Sequence, residues 1–139
     1  MAIFDADLMF SDNQAVTATA SSETVIDCGQ ELLTTGLNGA MELFVAVIPT
    51  TDFTGTGSIQ VSLQHSDTKD GSYSVVKALP DTAATEFKRS LIPMPLVHKQ
   101  FLKLVYTVTG TVADGKISAG ITRSVDMQQD YKAEDYTFQ

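Results

Sequence analysis

Two stretches of strict period-two alternation constrain the fold more than any other feature of the chain. Ile59-Gln60-Val61-Ser62-Leu63-Gln64-His65-Ser66 places Ile59, Val61, Leu63 and His65 on one side and polar groups on the other. Lys116-Ile117-Ser118-Ala119-Gly120-Ile121-Thr122-Arg123-Ser124-Val125 does the same with Ile117, Ala119, Ile121 and Val125. Side chains alternate across a strand at this period, so both segments read as strands with one buried face. Leu43-Phe44-Val45-Ala46-Val47-Ile48 is apolar on both sides, which fits a central strand or one covered by an oligomer partner. Phe101-Leu102-Lys103-Leu104-Val105-Tyr106-Thr107-Val108 is rich in β-formers and holds a single charge. Shorter candidates are Val16–Ala20, Thr24–Asp27, Ser74–Ala78 and Glu86–Leu91.

Turn-forming residues separate these runs. Asp70-Gly71 closes a hairpin after the strand at 59–66. Gly55-Thr56-Gly57, Pro80-Asp81, Gly110 and Asp114-Gly115 supply further breaks. Pro93-Met94-Pro95 reads as an extended loop, because neither proline can donate to a helix or a ladder. No segment keeps a helical period, and residues 30–40 read as loop with at most one short turn. About eight short antiparallel strands in 139 residues predict an all-β, two-sheet sandwich, with a jelly roll as the leading topology and an immunoglobulin-like one as its alternative.

The charge is unevenly spread. Residues 1–68 carry nine acidic groups and no basic one, residues 69–123 carry eight basic and four acidic, and residues 124–139 hold Asp126, Asp130, Glu134 and Asp135 against Lys132. Regional charges of −9, +4 and −3 make up the net −8. Such patches suit contacts between copies or with a charged neighbour. They do not suit nucleic acid, since an acidic chain without an arginine cluster or tryptophan offers phosphates little. No run of 18 apolar residues is present, so no membrane span is expected. The first charges are Asp5 and Asp7 rather than the basic start of a signal peptide, so synthesis in a cytoplasm is expected. A single cysteine, Cys28, excludes an intrachain disulfide and a cysteine-rich zinc site.

Residues for covalent or acid–base chemistry are sparse. A hydrolytic site needs a nucleophile, a base and an orienting group. The histidines are His65, which continues an inward alternation, and His98, in the loop segment Val97-His98-Lys99-Gln100. No Gly-x-Ser-x-Gly or phosphate loop occurs. Cys28 has no basic neighbour in sequence to lower its pKa and reads as a structural thiol. Ser66-Asp67-Thr68-Lys69-Asp70-Gly71-Ser72 holds two carboxylates, but Lys69 between them favours a plain hairpin turn over a calcium loop. No enzymatic activity, metal or cofactor is expected.

The two ends carry the contact signals. The opening stretch is apolar in bursts and acidic, without a sustained period. Phe4, Leu8, Met9 and Phe10 are the side chains expected to bury against a partner. The last stretch is polar, yet Tyr131, Tyr136 and Phe138 punctuate it, and aromatic enrichment marks contact surfaces. The expected organisation is therefore an N-terminal arm over residues 1–14, a sandwich over 15–125 and a C-terminal arm over 126–139.

Phe4-Asp5-Ala6-Asp7-Leu8-Met9-Phe10-Ser11-Asp12-Asn13-Gln14-Ala15-Val16-Thr17-Ala18-Thr19-Ala20-Ser21-Ser22, with Thr24-Val25-Ile26-Asp27-Cys28-Gly29 after it, resembles the start of the Bordetella-phage type of capsid cement (decoration) protein. Val61–Asp67, Phe101–Val108 and Gly115–Val125 are similar to later strands of that family, while the acidic extension after Val125 is its least typical part. The resemblance favours the jelly roll. It implies a structural virion protein that coats the outer surface of a tailed-phage head and bridges neighbouring major capsid subunits of HK97-like fold. It implies synthesis in the host bacterial cytoplasm and carries no catalytic residues. A homo-oligomer is expected, dimer ahead of trimer, with contacts to capsid or protomer through Phe4, Leu8, Met9, Phe10, Tyr131, Tyr136 and Phe138. A receptor- or carbohydrate-binding sandwich of a phage tail and a head–tail connector are the alternative readings.

Overall fold

The computed structural model describes residues 8–29, 43–95 and 97–123. Ten strand segments run antiparallel: β1 (Met9–Ala15), β2 (Ala20–Ser21), β3 (Ile26–Asp27), β4 (Leu43–Thr54), β5 (Ser58–Ser66), β6 (Ser74–Ala78), β7 (Thr82–Ala83), β8 (Ser90–Pro93), β9 (Phe101–Thr109) and β10 (Asp114–Arg123). A 3-10 turn, Ala84–Glu86, lies between β7 and β8. One sheet has the order β1-β10-β4-β8, and the other β2-β9-β5-β6, with β3 also on β9 and β7 also on β5.

β2 and β3 are one strand interrupted. Between them Ser22 N–H donates to the Leu104 carbonyl at 2.8 Å, and Leu104 N–H donates to Ser22 Oγ at 3.1 Å. A side chain thus fills in where the ladder breaks. β6 and β7 are likewise one strand broken around Pro80, with Leu79 N–H still bonded to the Val61 carbonyl at 2.9 Å. Merging each pair leaves eight strands, paired first with last, second with seventh, third with sixth and fourth with fifth. That is the pattern of one long antiparallel hairpin rolled into two sheets, so the sandwich is a jelly roll, as the strand count and resemblance led one to expect.

The core lies between the sheets. Val45, Val47, Ile92, Ile117, Ala119 and Ile121 of the first sheet face Ile59, Val61, Leu63, Leu102, Leu104 and Tyr106 of the second. At roughly 1.5–3 kcal/mol for each large side chain fully buried, this double row is the main drive to fold.

The N-terminal arm is a different matter from Leu8 onward. Residues 9–15 form β1, paired with β10 from Met9↔Gly120 to Ala15↔Lys116. Register shifts between Met9 and Ser11 and between Ser11 and Gln14, with Asn13 at φ 51°, break the alternation that would have revealed a strand. The first irregularity turns both Phe10 and Ser11 into the core, where they are 0% and 2% exposed. The expected boundary at residue 14 therefore moves: the sandwich begins at its first strand, and Phe10 is a core side chain rather than a contact for a partner. Phe4, Tyr131, Tyr136, Phe138, the loop at 30–40 and the C-terminal arm lie outside the described residues.

Two further expectations shift. Pro93 closes β8 rather than standing in a loop, which an edge strand allows because its nitrogen needs no partner. Met94 follows it into the core, with its N–H on the Leu43 carbonyl at 3.1 Å. β4 runs on to Thr54 through Pro49, which sits opposite Ile117 beside a register shift.

Candidate docking surface

Residues opposite one another on an antiparallel pair share a face, so the register maps the outside of each sheet. On the first sheet Met9, Gly120, Ala46 and Leu91 form one row across all four strands. Thr122, Phe44 and Pro93 form the next, and Ser118 with Ile48 a third. The intervening rows hold Val45 with Ile92 and Ile121, which point to the core. The outer face is thus a floor of small residues rimmed by Met9, Phe44, Ile48, Leu91 and Pro93. Ala46, Ser118, Gly120 and Thr122 of the floor are buried, Met9, Phe44 and Ile48 are half-buried, and Pro93 and Leu91 of the rim are exposed, Leu91 by 39%. This explains why 43–48 is apolar on both sides: β4 is a central strand whose outer residues belong to a second apolar surface.

The outside of the second sheet is built differently. Ser21, Val105, Ser62 and Ala78 make one row, and Lys103 lies beside Gln64 in another. Gln60 stands opposite Thr107. Lys103 Nζ sits 4.2 Å from the centroid of the Tyr73 ring, and Tyr73 donates its hydroxyl to the Lys69 carbonyl at 2.7 Å. Polar side chains interleave with the apolar ones, as on a wetted face. Val75, 57% exposed, closes the row of Lys103 and Gln64, so this sheet also presents an isolated apolar side chain among its polar ones.

Of the residues expected at the contact, the structure places Met9 on this face. Leu8 packs against the core, and Phe10 lies inside it. Leu91 and Pro93 were missed because β8 is four residues long and shows no alternation that sequence alone could use. Their common row with Phe44 and Ala46 is visible only in the register.

The groups that might have held chemistry are committed to structure. His65 Nδ1 accepts the Lys99 N–H at 3.2 Å, and His98 Nδ1 donates to the Lys99 carbonyl at 2.8 Å. Burial, together with the charges of Lys99 and His98, lowers the His65 pKa below its ordinary value, partly opposed by Asp67. Burial raises the Cys28 thiol, and the Asp27 carboxylate raises it further, the opposite of what a thiolate nucleophile needs. Asp27 accepts from Gln100 Nε2 at 2.9 Å and Gly29 N–H at 2.8 Å, and these bonds lower its pKa.

In the turn at 66–72, Asp67 pairs with Lys99 at 3.2 Å. The backbone is closed there by Gly71 N–H on the Thr68 carbonyl, so the segment is a plain turn. Among the described residues no three His, Cys, Asp or Glu side chains gather as metal ligands.

With the geometry in place, the comparison with known families is informative. The family model Bbp16 matches residues 10–121, all of the sandwich but Met9 at its start and Thr122 and Arg123 at its end. The chain belongs to the Bbp16 family, a family of phage proteins. No curated protein matches it.

Proposed function

We propose that this Bbp16-family chain is a cement protein, which binds the outside of a tailed-phage head and ties neighbouring major capsid subunits together. The observation that carries this reading is the match to a phage-protein family over residues 10–121, joined to an apolar rim of Met9, Phe44, Ile48, Leu91 and Pro93 on one outer face. An apolar rim with Leu91 and Pro93 exposed suits contact with other proteins of a shell.

In this account the segment leading into β1, with Phe4, meets the capsid, and the outer face of the first sheet, with Met9, joins copies to one another. A few side chains of that size contribute roughly 1.5–3 kcal/mol each before ordering costs, so a single contact is weak. Joined copies engage several capsid sites at once, which raises overall affinity by about a hundredfold or more where the spacing fits.

The test is a challenge to the shell. Undecorated, DNA-filled heads are heated with and without the purified protein. Added protein raises the temperature at which DNA escapes. An unchanged release temperature at saturating protein overturns the reading.

A further inference from the structure

We infer that Pro80 and Pro93 close the free edges of the two sheets, so that neighbouring copies of this chain do not join by continuing a sheet. An open edge presents unpaired N–H and C=O groups to any strand that meets it. The inference goes beyond the cement reading and stands without it. On a shell, where that reading sets copies side by side, open edges would fuse neighbours into an unlimited ribbon.

Each sheet has two edges, and on one side of the sandwich the chain covers its own. There β1 ends the first sheet, and β2 with β3 ends the second. Thr24 N–H donates to the Phe10 carbonyl at 3.0 Å. Gln14 Nε2 donates to the Ser21 carbonyl at 2.9 Å, and its Oε1 accepts the Glu23 N–H at 3.0 Å. These bonds stitch β1 to residues 21–24 and seal that side.

On the other side the edges are β8 and the strand made of β6 and β7. Backbone groups along an antiparallel strand face its neighbour at alternate residues. In β8 the Met94 N–H reaches the Leu43 carbonyl at 3.1 Å, so the residue before it, Pro93, turns its nitrogen away from β4. Leu91, two residues earlier, is the other outward position of this four-residue strand. Pro93 has no N–H, which leaves Leu91 as the one outward donor of β8.

The second edge repeats the device. Leu79 N–H bonds the Val61 carbonyl at 2.9 Å, so Pro80 after it takes an outward position, again without a donor. The ladder breaks there and resumes where Thr82 stands opposite Ile59. Upstream, the shift between Leu63↔Lys77 and Gln64↔Val75 inserts Val76 as an extra residue, which bends the edge. Lys77 stands opposite the core residue Leu63, a charge that a strand laid outside β6 would have to desolvate.

Placement makes the argument. The chain holds four prolines, and two of them fall at outward positions of the two free edges. At such a position the missing N–H costs the sandwich nothing and denies a bond to an added strand. Leu91 and Val75, exposed apolar side chains, stand on these same edges, where an open ladder would draw a strand in.

The experiment uses the full chain and no heads, so its failure and the failure of the cement reading are separable. Sedimentation over a concentration series, with thioflavin fluorescence as the sign of sheet continuation, compares the wild type with Pro93→Thr, Pro80→Thr and Pro93→Lys. Melting curves show which variants keep the sandwich. The wild type stays in a small closed state. Each threonine variant restores an outward N–H and self-associates about tenfold more tightly in an open series, the order expected of one added hydrogen bond. Pro93→Lys restores the same N–H beside a charge and sediments like the wild type. A wild type that polymerises, a folded threonine variant that sediments like the wild type, or a Pro93→Lys that associates as Pro93→Thr does overturns the inference. Loss of the sandwich in both threonine variants also overturns it, because the prolines would then serve the fold rather than its edges.

Discussion

The hydroxyls of Ser11 and Tyr106 meet 2.7 Å apart inside the core, joining β1 of one sheet to β9 of the other. Ser11 gives its proton to Gln14 Oε1 at 2.7 Å, so Tyr106 is the donor in the buried pair. Gln14 in turn accepts the Glu23 N–H at 3.0 Å and donates to the Ser21 carbonyl at 2.9 Å. This chain of bonds ties β1 to β2 and makes the first strand integral to the domain. Burial holds the Tyr106 phenol well above its ordinary pKa, so it stays a neutral donor at any working pH. Ser11→Ala leaves that donor buried without a partner, which costs roughly 1–3 kcal/mol. Denaturant unfolding of Ser11→Ala against wild type measures it, and an unchanged midpoint would deny the bond any role.

Truncations separate the strand from the segment before it. A chain beginning at residue 8 keeps β1 and unfolds cooperatively near the wild-type temperature. A chain beginning at residue 13 loses Phe10 and Ser11 and, with an aromatic of that size gone from the core, loses roughly 3–5 kcal/mol or more. Circular dichroism melts of the two compare them directly. Equal melting temperatures would mean that β1 adds nothing to the fold.

What the sequence displayed depended on how regularly each strand keeps its period. β5 and β6 were legible because residues 59–66 and 74–78 pair without a proline or a side-chain interruption. β1 was not, since Asn13 folds back with its N–H on Ser118 Oγ at 3.0 Å and the two register shifts scramble which side is inward. Phe10 thus passed for part of a sticky arm when it is core. β2 and β3 were blurred because Ser22 stands in for ladder bonds between them. The two-sided apolarity of 43–48 did announce a central strand. That its outer neighbours are Leu91 and Pro93 is a fact of pairing across 45 residues or so, which no local pattern encodes.

Gly115 meets the Phe53 ring so closely that a Cβ would overlap its Cδ1 edge, and its φ of 144° disfavours other residues. Phe53 cannot simply yield, because it packs edge-on against Phe87 at a centroid distance of 5.4 Å. Gly115→Ala therefore destabilises by about 1–3 kcal/mol, with overpacking and backbone strain adding. A thermal melt shows whether the midpoint falls. No change would place Phe53 in a site with spare room.

His65 sets an acid limit on the loop before β9. Its Nδ1 can accept the Lys99 N–H only while that nitrogen is unprotonated. Because its folded pKa is lowered from 6.5, the unfolded chain takes up the proton first. Stability contributed here is complete above pH 6.5 and declines as pH falls toward the folded value. His65→Asn keeps an acceptor oxygen near the same place without titrating. Melting temperatures at pH 7, 6 and 5 should fall for wild type and fall less for the variant. Parallel curves would exclude His65 as the source.

The central claim is that this sandwich coats a phage shell. It is tested most directly by co-sedimenting the purified chain with expanded, undecorated heads and, in parallel, with unexpanded proheads. Saturable binding to expanded heads is the predicted result, with a stoichiometry that reports the symmetry sites occupied. No binding to either shell would contradict the account.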